Sequence, residues 1–219
     1  MSVQDNIAEI FKNLGNVGTS QERRALERKM KNYTVEEWRF ECFAQVIASG
    51  ALTGAIGGPV GLAAIIPDIA FCGRVGALGC FGIGHILGRE VDYDRDMNMI
   101  LALWTDLAET AVTVPVGKVG IKVSGKLTAK MAGKLVGKAV LKSSSKFGSK
   151  LAAKAASKAA TKVVTKLAAK AGVGWIPFFG GAVSAGINRW LVNGMLTAAE
   201  RYYRGDYIVI NDSEIANLA

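Results

Sequence analysis

From Lys118 to Lys170 a lysine stands at every fourth position without a miss: Lys118, Lys122, Lys126, Lys130, Lys134, Lys138, Lys142, Lys146, Lys150, Lys154, Lys158, Lys162, Lys166 and Lys170. No carboxylate interrupts the chain between Glu109 and Glu200. On an α-helix four residues turn the chain by about 400°, so successive lysines drift by about 40°. The seven from Lys118 to Lys142 wind through about 240°, and one long straight helix cannot hold them on one face. SSSKFGS, Ser143 to Ser149, is the natural break. Two helices are predicted, Val116–Leu141 and Ser149–Ala171, the first weakened by glycine and the second strengthened by alanine. Like charges four apart cost a few tenths of a kcal/mol per pair, roughly 3–6 kcal/mol for the whole ladder at low salt. Lysine ends that snorkel outward over apolar surface relieve that cost. A neighbouring anionic layer reverses it, at about 1 kcal/mol per lysine.

The charge is local. The chain of 219 residues carries +9 and the ladder +14, so the remainder sums to −5. Such asymmetry points to a polyanionic partner: a membrane surface, an acidic protein or nucleic acid. Nucleic acid is disfavoured, because the ladder has no arginine fork for base edges and Phe147 is its only aromatic ring for stacking. Apolar residues threaded between the lysines fit an interface that is wet on one side and greasy on the other.

Half of the residues are hydrophobic, enough for a sizeable core. Gln21 to Arg39 reads as a charged, solvent-facing helical stretch, and Thr34 with Glu37 forms a capping box that opens a helix towards Cys42. Cys42 to Pro67 is apolar and rich in Gly and Ala. Gly57-Gly58-Pro59 breaks it, so two packed helices joined by a tight turn are expected rather than one membrane span. A helix is predicted from Pro67 to Leu87, with Asp68 at its positive end. Gly73, Gly76, Gly79, Gly82 and Gly84 mark it for close approach to a neighbour, protein or acyl chain. EVDYDRD reads as an acidic turn, Met97–Val112 as an amphipathic helix and Ala182–Tyr203 as the last long helix. The tail, DYIVINDSEIANLA, reads as loose or as an added edge strand. No strand pattern is evident before Gly205, and an all-α bundle of Gly/Ala-rich helices with a lysine-rich helical pair is predicted.

Catalytic chemistry finds little purchase. His85 is the only histidine and stands among Gly and Ile with no nucleophile elbow, so a packing role is expected. GAIGGPVG lacks the Gly-Lys-Ser and the βα context of a phosphate loop. Cys42, Cys72 and Cys80 form no C-x-x-C pair; buried free thiols are expected, with no metal site and no cofactor. Arg74 is expected to meet Asp68, Asp106 or a lipid phosphate. The start of the chain shows no cationic stretch followed by an apolar run, so no secretory signal is expected.

ALTGAIGGPVGLAAIIPDIAFCGRVGALGCFGIGHILGREVD, Ala51 to Asp92, resembles the signature of the bacterial EcsC family. The matching positions are Thr53, Gly54, Gly57, Gly58, Gly61, Pro67, Asp68, Gly88 and Asp92. IPFFGGAVSAGINRWLVNGMLTAAERYY resembles the family's other block through Ile176, Pro177, Gly180, Gly181, Asn188, Ala199, Tyr202 and Tyr203. The family often has Tyr-Gly where this chain has Leu87-Gly88, and the ladder is more regular here. The resemblance spans roughly Glu36 to Arg204 and implies a neighbourhood with a transporter. It carries a weaker likeness to the senescence domain of spartin-like proteins, which implies association with lipid.

The expected organisation is a charged helical segment over 1–33, an EcsC-like helical domain over 34–205 and a tail over 206–219. The expected function is non-enzymatic: peripheral attachment to the cytoplasmic face of a membrane. The ladder lysines and Arg74 meet anionic head groups, and an apolar groove or surface takes acyl chains. Two rivals stand beside it: a cytosolic adaptor for an acidic protein partner, and a pore former built on the Cys42–Leu87 hairpin.

Overall fold

The computed structural model describes residues 2–56, 64–107, 139–143, 145–171, 179–205 and 207–211. Over these the chain is all-α, with seven helices packed on one another: α1 (Val3–Lys12), α2 (Ser20–Met30), α3 (Val35–Ile56), α4 (Ile65–Ile86), α5 (Tyr93–Trp104), α6 (Ser145–Ala171) and α7 (Phe179–Arg204). A single 3-10 turn, Leu14–Asn16, follows α1. Two short strands, β1 (Ala139–Ser143) and β2 (Tyr207–Asn211), pair in parallel, with Ala139 opposite Tyr207 and Ser143 opposite Asn211.

Local chemistry sets the helix starts. Ser2 with Asp5, Thr19 with Glu22, and Thr34 with Glu37 each form a reciprocal capping box, satisfying N–H groups that the first turn leaves unpaired. The Asp5, Glu22 and Glu37 carboxyls are held below their ordinary range by these hydrogen bonds. Their contribution to stability is therefore present above the ordinary carboxylate range and is lost as pH falls through the lowered values.

α4 is the central strut. Twelve of its residues are buried, and helices α3 and α7 pack along it. It is long and apolar enough to cross a bilayer by length and composition, and two thirds of its most apolar stretch is buried against other helices. Its glycines are where neighbours approach. A Cβ on Gly76 would lie 2.8 Å from Met195 Sδ, on Gly79 2.6 Å from Leu196 Cδ2, and on Gly82 2.2 Å from Trp38 Nε1. Trp38 Nε1 donates to the Gly79 carbonyl at 3.0 Å. The close approach expected of this run is to the protein's own helices.

The N-terminal segment belongs to the same core: Ile7, Phe11, Leu14, Leu26 and Met30 are buried with residues of α3 to α7. Four boundaries differ from the sequence reading. SSSKFGS, expected as a break, is mostly helical: α6 begins at Ser145, not at Ser149. The acidic EVDYDRD is not a turn but the entry to α5: Asp92 caps it, its side chain accepting from Arg95 N at 3.1 Å. The helix predicted over Met97–Val112 is interrupted after Trp104, where Thr105 Oγ1 bonds back to the Leu101 carbonyl at 2.7 Å and Asp106 takes a left-handed φ of 58°; residues 108–112 lie outside the described residues. Ala139–Leu141, predicted as the end of a helix, lies in β1, paired with the β-prone Tyr-Ile-Val-Ile of β2. The rest of that predicted helix, 116–138, lies outside the described residues.

Candidate functional site

α6 carries the described part of the lysine ladder and has no carboxylate of its own. It packs across α1 and α5. Its buried side is made of small residues, Ala155, Ala156, Ala159, Ala160 and Val163, so the helix sits close to its neighbours. Those residues occupy the two positions after successive lysines, and the lysines fall on the opposite side. The drift of about 40° per step then shows in what each lysine does. Lys154 is exposed and Lys158 half-buried. Lys162 has rotated to the rim of the interface, where its Nζ donates to the Trp104 carbonyl at 2.7 Å and to Asp106 Oδ2 at 2.9 Å. It thereby occupies the negative C-terminal end of α5. One turn on, Lys166 Nζ stands 5.3 Å from the ring centre of Trp190. Of Lys154, Lys158, Lys162 and Lys166, only Lys162 has a carboxylate partner. Lys118 to Lys138 lie outside the described residues, and Lys142, Lys146, Lys150 and Lys170 are placed by backbone on β1 and α6.

α6 packs on α1, and α1 in turn walls an apolar groove on its side towards α4. Gln4 on one flank of α1 donates to Thr161 of α6 at 3.1 Å. The other flank, through Asn6, Glu9, Ile10 and Asn13, walls a groove of about 440 Å³ whose far wall is Ile66, Ala70 and Arg74 of α4. A volume of this order is in the range of small-molecule sites, and the lining is chiefly apolar. Large apolar side chains stand exposed at Val3, Phe40, Leu52 and Phe71.

Arg74 sits at the edge of the groove and pairs with Glu22 of α2 at 2.5 Å, both side chains nearly half exposed. It does not meet Asp68 or Asp106, because those partners are taken. Asp106 holds Lys162. Asp68 Oδ2 accepts from Asn188 Nδ2 at 3.0 Å and its Oδ1 from Ser49 Oγ at 2.5 Å. Asn188, buried in α7, also donates to the Val46 carbonyl at 3.2 Å. Asp68 and Asn188, singled out from blocks 120 residues apart, therefore meet where α3, α4 and α7 converge. Gly54 lies on α3, Pro67 on α4, and Gly180 and Gly181 on α7, while Gly57, Gly58 and Pro177 lie outside the described residues.

Sequence reasoning missed two structural residues. Gly50 faces α7 so closely that a Cβ would lie 2.7 Å from the Ala185 Cα and 2.6 Å from Asn188 Nδ2. Its signal was the small-residue spacing Gly50-x-x-x-Gly54. Asp96, read as part of an acidic turn, is 1% exposed and accepts from Tyr202 Oη at 2.8 Å, Tyr203 Oη at 3.0 Å, Arg95 Nε at 3.1 Å and the Asp92 backbone N–H at 3.0 Å. Burial, and then the Asp96 charge, push both phenols well above their ordinary range, so they remain donors. The signal was its place four residues before Ile100, on the apolar stripe of α5.

His85 Nε2 lies 3.2 Å from Tyr93 Oη, and burial lowers its pKa. Cys42, Cys72 and Cys80 are buried and free. Burial pushes the Cys42 thiol up to about 12 and raises the other two, so all three stay protonated and unreactive at neutral pH. Among the described residues no group of His, Cys, Asp and Glu is placed to hold a metal ion. Comparison with family models, curated proteins and solved structures finds no match to the chain.

Proposed function

We propose that the protein is a non-enzymatic, peripheral lipid-binding protein that meets anionic head groups with the outward lysines of α6 and takes acyl chains in the groove between α1 and α4. The observation that carries this reading is a face of α6 on which Lys154, Lys158 and Lys166 have no carboxylate partner, in the same molecule as a chiefly apolar groove between α1 and α4. Lys154, Lys158 and Lys166 bring no intramolecular carboxylate to neutralise. Exposed apolar side chains supply surface that enters a head-group layer at little cost.

Three lysines without carboxylate partners, at about 1 kcal/mol each, give roughly a hundredfold in partition onto an anionic surface at low salt. Flotation with phosphatidylcholine vesicles is expected to be weak and to rise steeply as phosphatidylglycerol is added. It is expected to fall when salt is raised from about 50 to about 500 mM. Equal flotation with neutral vesicles, or none with anionic ones, overturns the reading. Capture of an acidic protein without lipid favours an adaptor instead, and release of trapped dye favours a pore.

A further inference from the structure

A second concavity, of about 320 Å³, lies between α2, the C-terminal end of α4 and the start of α5. Its charged walls are Arg23, Arg24 and Glu27 from α2, and Arg89 and Glu90 after α4. Among the described residues these five groups form no ion pair with one another or with any other side chain. Two of the guanidiniums are held in place by the backbone. Arg23 donates from Nε to the Val17 carbonyl at 3.2 Å and from a terminal nitrogen to the Gly15 carbonyl at 3.0 Å, and its guanidinium lies 4.1 Å over the Tyr93 ring. Arg89 donates from Nε to the Tyr203 carbonyl at 2.9 Å, which leaves both terminal nitrogens for another acceptor.

Guanidinium forks match phosphate oxygens in shape and charge, and forks fixed before binding lose little entropy on binding. Glu27 and Glu90 in the same walls work against a bare dianion and offer acceptors to a cation. We propose that this concavity binds a small zwitterionic phosphoester, its phosphate against Arg24, Arg89 and Arg23 and its ammonium against Glu27 and Glu90. The site is separate from the lysine face. It adjoins Tyr93 at the start of α5, whereas Lys162 is anchored at Trp104, eleven residues or ~17 Å along the helix. It does not rest on the membrane reading.

The test is calorimetric titration of the full chain with O-phosphoethanolamine, inorganic phosphate and ethanolamine, together with binding to vesicles that contain phosphatidylethanolamine. Phosphoethanolamine is expected to bind saturably and at least tenfold more tightly than phosphate or ethanolamine. The Arg24→Gln/Arg89→Gln double variant, with its melting temperature unchanged, is expected to lose at least tenfold. Glu27→Gln/Glu90→Gln is expected to abolish the preference over inorganic phosphate. If the arginine variant also loses vesicle binding, the source is a lipid head group; if only the free compound depends on those arginines, it is a soluble phosphoester. No saturable binding of phosphoethanolamine, equal binding of inorganic phosphate, or indifference to the arginine variant overturns the proposal.

Discussion

Asp96→Ala is expected to lower the stability of the protein by about 3–5 kcal/mol, because it removes the shared partner of a buried network. The Tyr202 and Tyr203 hydroxyls and the Arg95 guanidinium all donate to this one carboxylate, and Tyr203 is itself buried. In a chain of this size the loss corresponds to roughly 10 °C in Tm. Tyr203→Phe removes one donor and leaves the carboxylate satisfied by the others, so about 1 kcal/mol is expected. Thermal melting by circular dichroism reads both. A melting temperature for Asp96→Ala within about 2 °C of the parent, or a larger loss in Tyr203→Phe, contradicts the network as described.

Gly50→Ala is the second large effect. The new methyl meets the backbone of α7 at Ala185, and backbone cannot change rotamer to yield. Overpacking of this kind costs up to about 3 kcal/mol, and about 1 kcal/mol returns as helix propensity. The net loss is about 2 kcal/mol, and separation of α3 from α7 also strains the bonds from Asn188 to Val46 and Asp68. Gly186→Ala is the control. Gly186 lies on the same helix, α7, with nothing within 4 Å of its would-be Cβ. There the propensity term acts alone, and a gain approaching about 1 kcal/mol is expected. The two alanines must therefore move the urea midpoint in opposite directions. A shift of the same sign in both argues that α3 and α7 do not approach as closely as Gly50 allows.

The all-α class, the Thr34 capping box and the glycine face of α4 were legible in the sequence, because each rests on local spacing. The phase of the ladder was legible too. A drift of about 40° per lysine implies that a stripe beginning in solvent must reach the interface within a few steps, and Lys162 is where it does. What the sequence could not show was which charges meet. Arg74 finds Glu22 and Asp106 finds Lys162 across 52 and 56 residues, and both pairings follow from how helices cross rather than from spacing along one of them. Asp96 was misread for a related reason. Its neighbours in sequence are charged, while its neighbours in space are two tyrosines from the far end of the chain. The groove was equally hidden, since its two walls come from α1 and α4 and neither wall alone is unusually apolar.

The most direct test of the lysine face is a fluorophore placed on it. The three native thiols are buried and protonated, so Ser157→Cys, an exposed position between Lys154 and Lys158, can be labelled selectively with an environment-sensitive dye. Emission is expected to shift to the blue on addition of vesicles rich in phosphatidylglycerol and to return when salt is raised. A dye that reports bulk water while the labelled protein floats with those vesicles would place the membrane against another face and contradict the account.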